Sequence, residues 1–277
     1  MGYKILCDSC TDFTPAMEAN PSFVRIPLTI HVGNRSFVDD GTIQQAELLQ
    51  VMGATPEAAR TACPAPEAYL SHFETAEDIY IITLSERLSG SYNAAAQAVK
   101  FYREDGGQHN VYIFNSRSAS AGQVQAALKV EELARSGLPF DEVVAQVEAY
   151  LDEMDTMFVL ESLENLRKNG RLTKVQALVT GSLRIKLLMG ATPEGEIIKL
   201  GQGFTERQTL QKMIRRVAEN AGHTGKRLVI SHCNCLERAG YVRDLAEKLC
   251  RFREILITAT GGISTAYAND GGTVIAY

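Results

Sequence analysis

The sequence predicts an α/β fold in two parts. Residues 1–155 read as an N-terminal α/β domain, a parallel or mixed sheet flanked by helices, and residues 156–277 as a second α/β domain. Three observations predict this. Short apolar or β-branched runs alternate with amphipathic helical patterns, the signature of a sheet covered by helices. The length of 277 residues exceeds what one hydrophobic core usually serves. After about Asp155 the texture changes, and hairpin signals enter the alternation.

In the first part, Tyr3–Cys7, Val24–Ile30, Ile79–Leu84 and Val111–Asn115 are short apolar runs that suit strands buried on both faces. Helical patterns over Ala46–Met52, Pro66–Glu74, Ser91–Glu104 and Ala121–Arg135 separate or follow them. Pro139–Met154 is a further amphipathic helix, with Asp141 and Glu142 favourable in its first turn. In the second part Thr156–Leu160 is a strand, and Leu163–Lys168 a short helix stopped by Asn169-Gly170. Ile185–Ala191, the turn Pro193-Glu194-Gly195 and Glu196–Leu200 form a β-hairpin. Helix Glu206–Ala221, strand Lys226–Cys233, helix Cys235–Leu249 and strand Glu254–Ala259 then make two βαβ-like passes, and Gly271–Tyr277 closes the chain as a strand.

The formal charge of −5 argues against a nucleic-acid binder, which would carry a basic excess. No run approaches the ~18 apolar residues of a membrane span. Asp8 interrupts the first apolar run, which argues against a secretory signal and against reading Met1-Gly2 as a myristoylation site. A cytoplasmic location is therefore expected. Six cysteines (7, 10, 63, 233, 235, 250) read as small buried hydrophobes in a reducing compartment. A zinc site built from Cys7/Cys10 and Cys233/Cys235 is disfavoured, because C-x-C is tight for one tetrahedral ion. Apolar residues make up 45% of a chain that has no Trp, 10 Tyr and 10 Phe, so aliphatic surface is abundant. The aliphatic-rich stretches Ala94–Val99 and Val124–Leu133 read by themselves as core.

No GxxxxGK[ST], GxGxxG or GxSxG motif is present. What recurs is hydroxyls at strand-to-helix junctions: Thr61-Ala-Cys-Pro-Ala-Pro66, Ser85-Glu-Arg-Leu-Ser89-Gly90-Ser91, and Ser116-Arg-Ser118-Ala-Ser120. Ligands in such sheets bind beyond the carboxyl ends of strands, and helix N-termini favour an anion. Plain N-capping accounts for one such junction; three in one domain point further. With Arg87 and Arg117 as the cations of these loops, a single carboxylate fits better than a polyphosphate. Asp8, Ser9, Asp12, Asp39 and Asp40 read as caps and turns, and Arg171 as a donor to backbone carbonyls at the domain junction.

The motifs, taken in order, resemble the DegV family of fatty-acid-binding proteins. The stretch Ile5-Leu-Cys-Asp8-Ser9-Cys-Thr-Asp12 is similar to the family's I-x-T-D-S-x-x-D. Pro27-Leu-Thr-Ile30 through Phe37-Val-Asp39 resembles P-L-x-(I/V)…Y-x-D, and Thr61-Ala-Cys-Pro64-Ala65 resembles T-S-x-P-S. Ser85–Tyr92 resembles S-x-x-L-S-G-T-Y, Asn115–Gly122 resembles D-S-x-x-x-S-x-G, and Leu163–Leu172 resembles L-x-x-L-x-x-G-G-R-(I/L). The resemblance implies a two-domain α/β fold holding a long-chain fatty acid between the domains, its tail in a slot lined in part by the aliphatic stretches Ala94–Val99 and Val124–Leu133, with no cofactor and no catalytic residue. It assigns the carboxylate to Thr61 and Ser89, with Gly90 permitting close approach and Ser91 in place of a family threonine; Ser116 is a further candidate ligand residue. It also implies a carrier that presents its ligand to a fatty acid kinase. One departure matters: Tyr267 stands where the family has a histidine near the headgroup, and it cannot carry positive charge at pH 7. Arg171 and Arg207 are candidate partner contacts. Acyl or phosphoryl transfer by Ser89 or Ser91 with Asp8 is the alternative chemistry, and a lipid-sensing regulator a third reading. The acidic charge implies at most transient membrane contact.

Overall fold

The computed structural model describes residues 2–172 and 185–277. Four strands form a wholly parallel sheet in the order β2 (Phe23–Ile26), β1 (Tyr3–Asp8), β6 (Asp78–Thr83), β7 (Asn110–Asn115). Successive side chains of a strand point to opposite faces, and the core divides accordingly. Ile5, Cys7, Tyr80 and Ile82 face one layer. Leu6, Ile79 and Ile81 face another, closed by α3 (Pro66–Leu70) and α4 (Ser91–Glu104).

The second sheet is mixed, in the order β10 (Ile197–Gly203), β9 (Lys186–Ala191), β8 (Thr156–Val159), β13 (Thr273–Ala276), β11 (Arg227–His232), β12 (Glu254–Ala259). β9 and β10 make the expected hairpin. The chain of pairings leaves β10, β11 and β12 pointing the same way. So β10–α8–β11 and β11–α9–β12, with α8 at Glu206–Glu219 and α9 at Leu236–Leu249, are the two βαβ passes the sequence suggests. β13 returns antiparallel between β8 and β11.

Helix α5 (Ala121–Arg135) lies between the two sheets. Val124, Ala127 and Val130 share one core with Ile5 and Tyr80 of the first sheet and with Val229 and Val274 of the second. Its two buried glutamines reach in opposite directions. Gln123 Nε2 donates to Asp8 Oδ1 at 2.8 Å, while Gln125 Nε2 donates to the Arg227 and Ala276 carbonyls at 2.7 and 2.9 Å. Helix α6 (Phe140–Asp152) packs beside it, and α8 and α9 cover the outer face of the second sheet.

Several elements depart from the sequence-based expectation. The run Val24–Ile30 is two strands, because Pro27 has no N–H to continue the ladder. β2 ends at Ile26, and β3 (Thr29–Val32) joins a separate antiparallel sheet with β4 (Arg35–Val38) and β5 (Arg60–Ala62). The helix expected over Pro66–Glu74 ends at Leu70. Helices α1 (Pro15–Ala19) and α10 (Gly262–Ala268) carry too few residues to show periodicity, and among the described residues they complete the set with α2 (Gln45–Ala54) and α7 (Glu164–Lys168). No helix among the described residues is long and apolar enough to cross a membrane.

Candidate functional site

A narrow cavity of about 110 Å³ opens beyond the carboxyl ends of the parallel sheet, where ligands of such sheets bind. Its floor is the three loops leaving β1, β6 and β7: Cys10, then Leu84, Leu88 and Ser89, then Arg117 to Ser120. Facing them are Phe158 of β8, Gly190 and Ala191 of β9, Ile197 of β10, and Ile263 and Tyr267 of α10. The lining is overwhelmingly aliphatic. The stretches Ala94–Val99 and Val124–Leu133 take no part in it, contrary to expectation. Ala94, Ala95 and Ala98 pack into the parallel sheet, and Val124 to Leu133 form the middle layer. The apolar wall comes instead from loops, hairpin and α10.

The hydroxyls of the lining include Thr61, Ser89 and Tyr267, all half-buried. Thr61 Oγ1 and Tyr267 OH share a hydrogen bond of 2.8 Å across 206 residues of sequence. Ser89 Oγ accepts the Ser91 N–H at 3.2 Å and pairs with Ser91 Oγ at 3.1 Å. Arg171 also lines the cavity; its Nε donates to the Leu88 carbonyl at 3.1 Å and its Nη1 to the Asn169 carbonyl. Asn169 Nδ2 in turn donates to the Ala59 carbonyl at 2.8 Å. The turn after α7 thus ties the loop carrying Ser89 to the strand carrying Thr61. It also sets a fixed positive charge in the cavity wall, where a carboxylate gains from it.

Other candidate residues sit elsewhere. Ser91 is fully buried behind Ser89, and its hydroxyl also stabilises the Asp8 carboxylate. Gly90 is the N-cap of α4 and makes room for Cys63, whose Sγ would lie 3.1 Å from a Cβ at that position. Ser116 is turned away from the cavity: its Oγ donates to the Ser118 carbonyl and accepts the Ser118 N–H, both at 3.2 Å. Its hydroxyl is consumed in holding its own loop. Arg207 is exposed, stacked 4.6 Å over the Tyr241 ring on the far side of the second sheet's helices.

The acidic residues near the strand ends cap backbone donors, but they do so in the interior. Asp8 Oδ2 accepts the Leu84 N–H at 2.8 Å and Oδ1 the Cys10 N–H at 3.2 Å; burial lifts its pKa to about 6. Asp12 accepts the Gly261 N–H at 2.8 Å and the Ser120 hydroxyl. Asp39 accepts the Gly262 and Ile263 N–H groups at 3.0 and 2.8 Å. Burial raises both of their pKa values as well. Asp12 and Asp39 therefore anchor the start of α10, the helix that carries Tyr267. Nothing local to Gly262–Ala268 announces that helix; Asp12 and Asp39, far away in sequence, supply its anchors. Asp40 caps Thr42 at the surface.

All six cysteines are free thiols; Cys7, Cys10, Cys233 and Cys250 are buried, Cys235 half-buried and Cys63 exposed. Burial pushes the Cys7 and Cys10 thiols well up, which suits packing over thiolate chemistry. Among the described residues no group of three or more His, Cys, Asp or Glu is placed to hold a metal ion.

Known proteins share this arrangement over the full length. A family model described as "Uncharacterised protein, DegV family" matches residues 3–277. A DegV domain-containing protein of Streptococcus pneumoniae is 34% identical over 284 residues, covering 100% of this chain and 99% of that protein. A crystal structure of a DegV family protein from Ruminococcus gnavus, refined with vaccenic acid, is similar at a TM-score of 0.96 and 43% identity, over 100% of this chain and 99% of that one. The Streptococcus pneumoniae Fatty Acid Kinase (Fak) B3 protein loaded with linoleic acid is similar at a TM-score of 0.92 and 33% identity, with the same coverage. Matched by the family model over residues 3–277 and by these relatives over its whole length, the chain belongs to the DegV family.

Proposed function

We propose that the protein binds one long-chain fatty acid and acts as a non-catalytic carrier that presents it to a partner such as a fatty acid kinase. The observation that carries this reading is a narrow, aliphatic-lined cavity with Thr61, Ser89, Tyr267 and Arg171 in its wall. A sixteen-carbon chain buries about 14 methylenes at ~0.8 kcal/mol each, roughly 11 kcal/mol before association costs. The tail supplies most of the affinity. The hydroxyls orient the carboxylate, at about 1.5–3 kcal/mol for each charge-assisted hydrogen bond. In this reading residues 1–155 and 156–277 act as two domains with the ligand between them, in the cytoplasm, where free thiols such as Cys63 persist. Arg207, beside the exposed Phe204, would contact the partner, while Arg171 serves the ligand's polar end.

The solved relatives named above carry vaccenic and linoleic acid, which supports the same class of ligand here. A transferase reading has one observation in its favour: Ser91 joins Ser89 to Asp8. Asp8, however, is fully buried and already accepts three N–H donors, so it is committed to holding the loops.

Mass spectrometry under native and denaturing conditions tests the proposal. A bound mass of a long-chain fatty acid is expected, together with a loss of about tenfold or more in affinity for Thr61→Val and for Ser89→Ala, the size of one charge-assisted hydrogen bond. An empty protein that takes up no acyl probe sinks it. Turnover without a partner, lost in Ser89→Ala with the fold intact, would establish the transferase instead.

A further inference from the structure

A second recess, of about 320 Å³, lies against the outer side of the cavity wall. It is bounded by Leu151, Asp152 and Met154 at the end of α6 and by Thr192 and Pro193 of the hairpin turn. Arg117, Thr156 and Ala191 border both spaces. These three residues stand between the two spaces.

The geometry shows how that wall is held. Arg117 has φ +51°, and its N–H is fixed in this left-handed conformation by Asn115 Oδ1 at 3.0 Å. Its Nη1 donates to Asp152 Oδ1 at 2.7 Å, and its Nη2, shut off from solvent, lies 3.9 Å from Glu148. The side chain is drawn along the wall rather than into water. The Ser118 and Thr156 hydroxyls close the next segment with a 2.7 Å hydrogen bond. The hairpin seats on this loop through Ser85 Oγ, which donates to the Gly195 carbonyl at 2.8 Å. Gly195 makes the seat possible. Any Cβ there would stand 2.8 Å from Arg117 Cα and 2.9 Å from its carbonyl oxygen.

We infer that Arg117, Thr156 and Ala191 form a partition that sets the upper limit on acyl-chain length, with Gly195 seating the hairpin that completes it. The inference rests on the fatty-acid reading of the main cavity. Removing the Arg117 side chain joins the two spaces, and the recess offers Leu151, Met154 and Pro193 to the methyl end of a longer chain.

The test is the affinity of wild type, Arg117→Gly, Arg117→Lys and Gly195→Ala for saturated acids from ~12 to ~24 carbons, read as the ratio of long-chain to best-chain Kd. Glycine suits a positive φ, so Arg117→Gly removes the side chain without backbone cost. In it the limit moves to longer chains, with about a tenfold gain in relative affinity for every two methylenes newly buried. Gly195→Ala, which lifts the hairpin, shifts the limit the same way, and Arg117→Lys keeps the wild-type limit. If wild type binds acids and Arg117→Gly, folded by circular dichroism, gives a superimposable length profile, the partition is overturned while the binding site stands. If wild type binds no acid of the series, the proposed function falls and this inference falls with it.

Discussion

Two edges of this molecule share one local architecture. At the carboxyl ends of β1, β6 and β7, strands run into hydroxyl-bearing loops and then into helices. At the carboxyl end of β11 a polar loop again leads into a helix: His232, Asn234 and Cys235 precede α9. The first edge is faced by β8–β10 and α10, and it encloses an aliphatic cavity. The second meets Gln45, whose Oε1 accepts the Asn234 N–H at 3.0 Å, and Asp270, which accepts from Asn234 Nδ2 at 3.0 Å, and it forms an open groove with Glu206, Arg207 and Arg238. Its charges are used among themselves: Arg238 pairs with Glu161 at 2.8 Å and with Glu206. A strand–loop–helix edge is thus only half of a binding site. What decides its chemistry is the surface laid over it, because exclusion of water makes the walls apolar and gives the remaining hydroxyls their meaning.

The comparison breaks most decisively at the covering surface. Ile197→Asp places a charge in the water-excluded wall and should weaken fatty-acid binding more than ~100-fold, since an unpaired buried charge costs several kcal/mol. Leu236→Asp, at a residue 64% exposed beside the open groove, should change it by less than about twofold. Calorimetric titration of both variants, with circular dichroism to confirm folding, checks the contrast; equal losses would erase the distinction between the edges.

A second effect is confined to the covered edge. Asp8 has a pKa of about 6 in the fold, against an ordinary value of 3.8, because burial penalises its charge. The folded state then holds the proton more tightly than the unfolded one. The stability that proton contributes is present below about pH 4 and is lost as pH rises through about 6, an amount of about 3 kcal/mol. Urea unfolding at a series of pH values should show this decline in wild type and a flatter profile in Asp8→Asn. Parallel profiles would mean that Asp8 titrates normally.

The smallest effect sharpens the polar end. Tyr267→Phe removes the hydroxyl bonded to Thr61 while keeping the ring. Affinity should fall by about 0.5–1.5 kcal/mol, roughly two- to tenfold, for a fatty acid, and less for the matching alcohol, which lacks the charge. Equal losses for acid and alcohol would show that the hydroxyl merely packs.

Much of this protein was legible before any fold was known. Short continuous apolar runs and helical periodicity place β1, β6, β7, α4 and α5, and helices Ser91–Glu104 and Ala121–Arg135 agree with the sequence reading to the residue. These patterns are local, set by neighbours two to four positions away, so a linear chain displays them. The hydroxyls Thr61 and Ser89 were also visible, as residues at strand-to-helix junctions, and both line the cavity. Tertiary structure alone decided that α5 is a middle layer shared by two sheets, and that the aliphatic stretches within α4 and α5 are core while the hairpin and α10 form the cavity wall. It also decided that Ser116 turns inward on its own loop. The bonds that settle these points join residues far apart, 206 positions for Thr61 and Tyr267 and 110 for Ser85 and Gly195. Such pairs leave no periodic trace, since nothing in the sequence around either partner encodes the distance to the other.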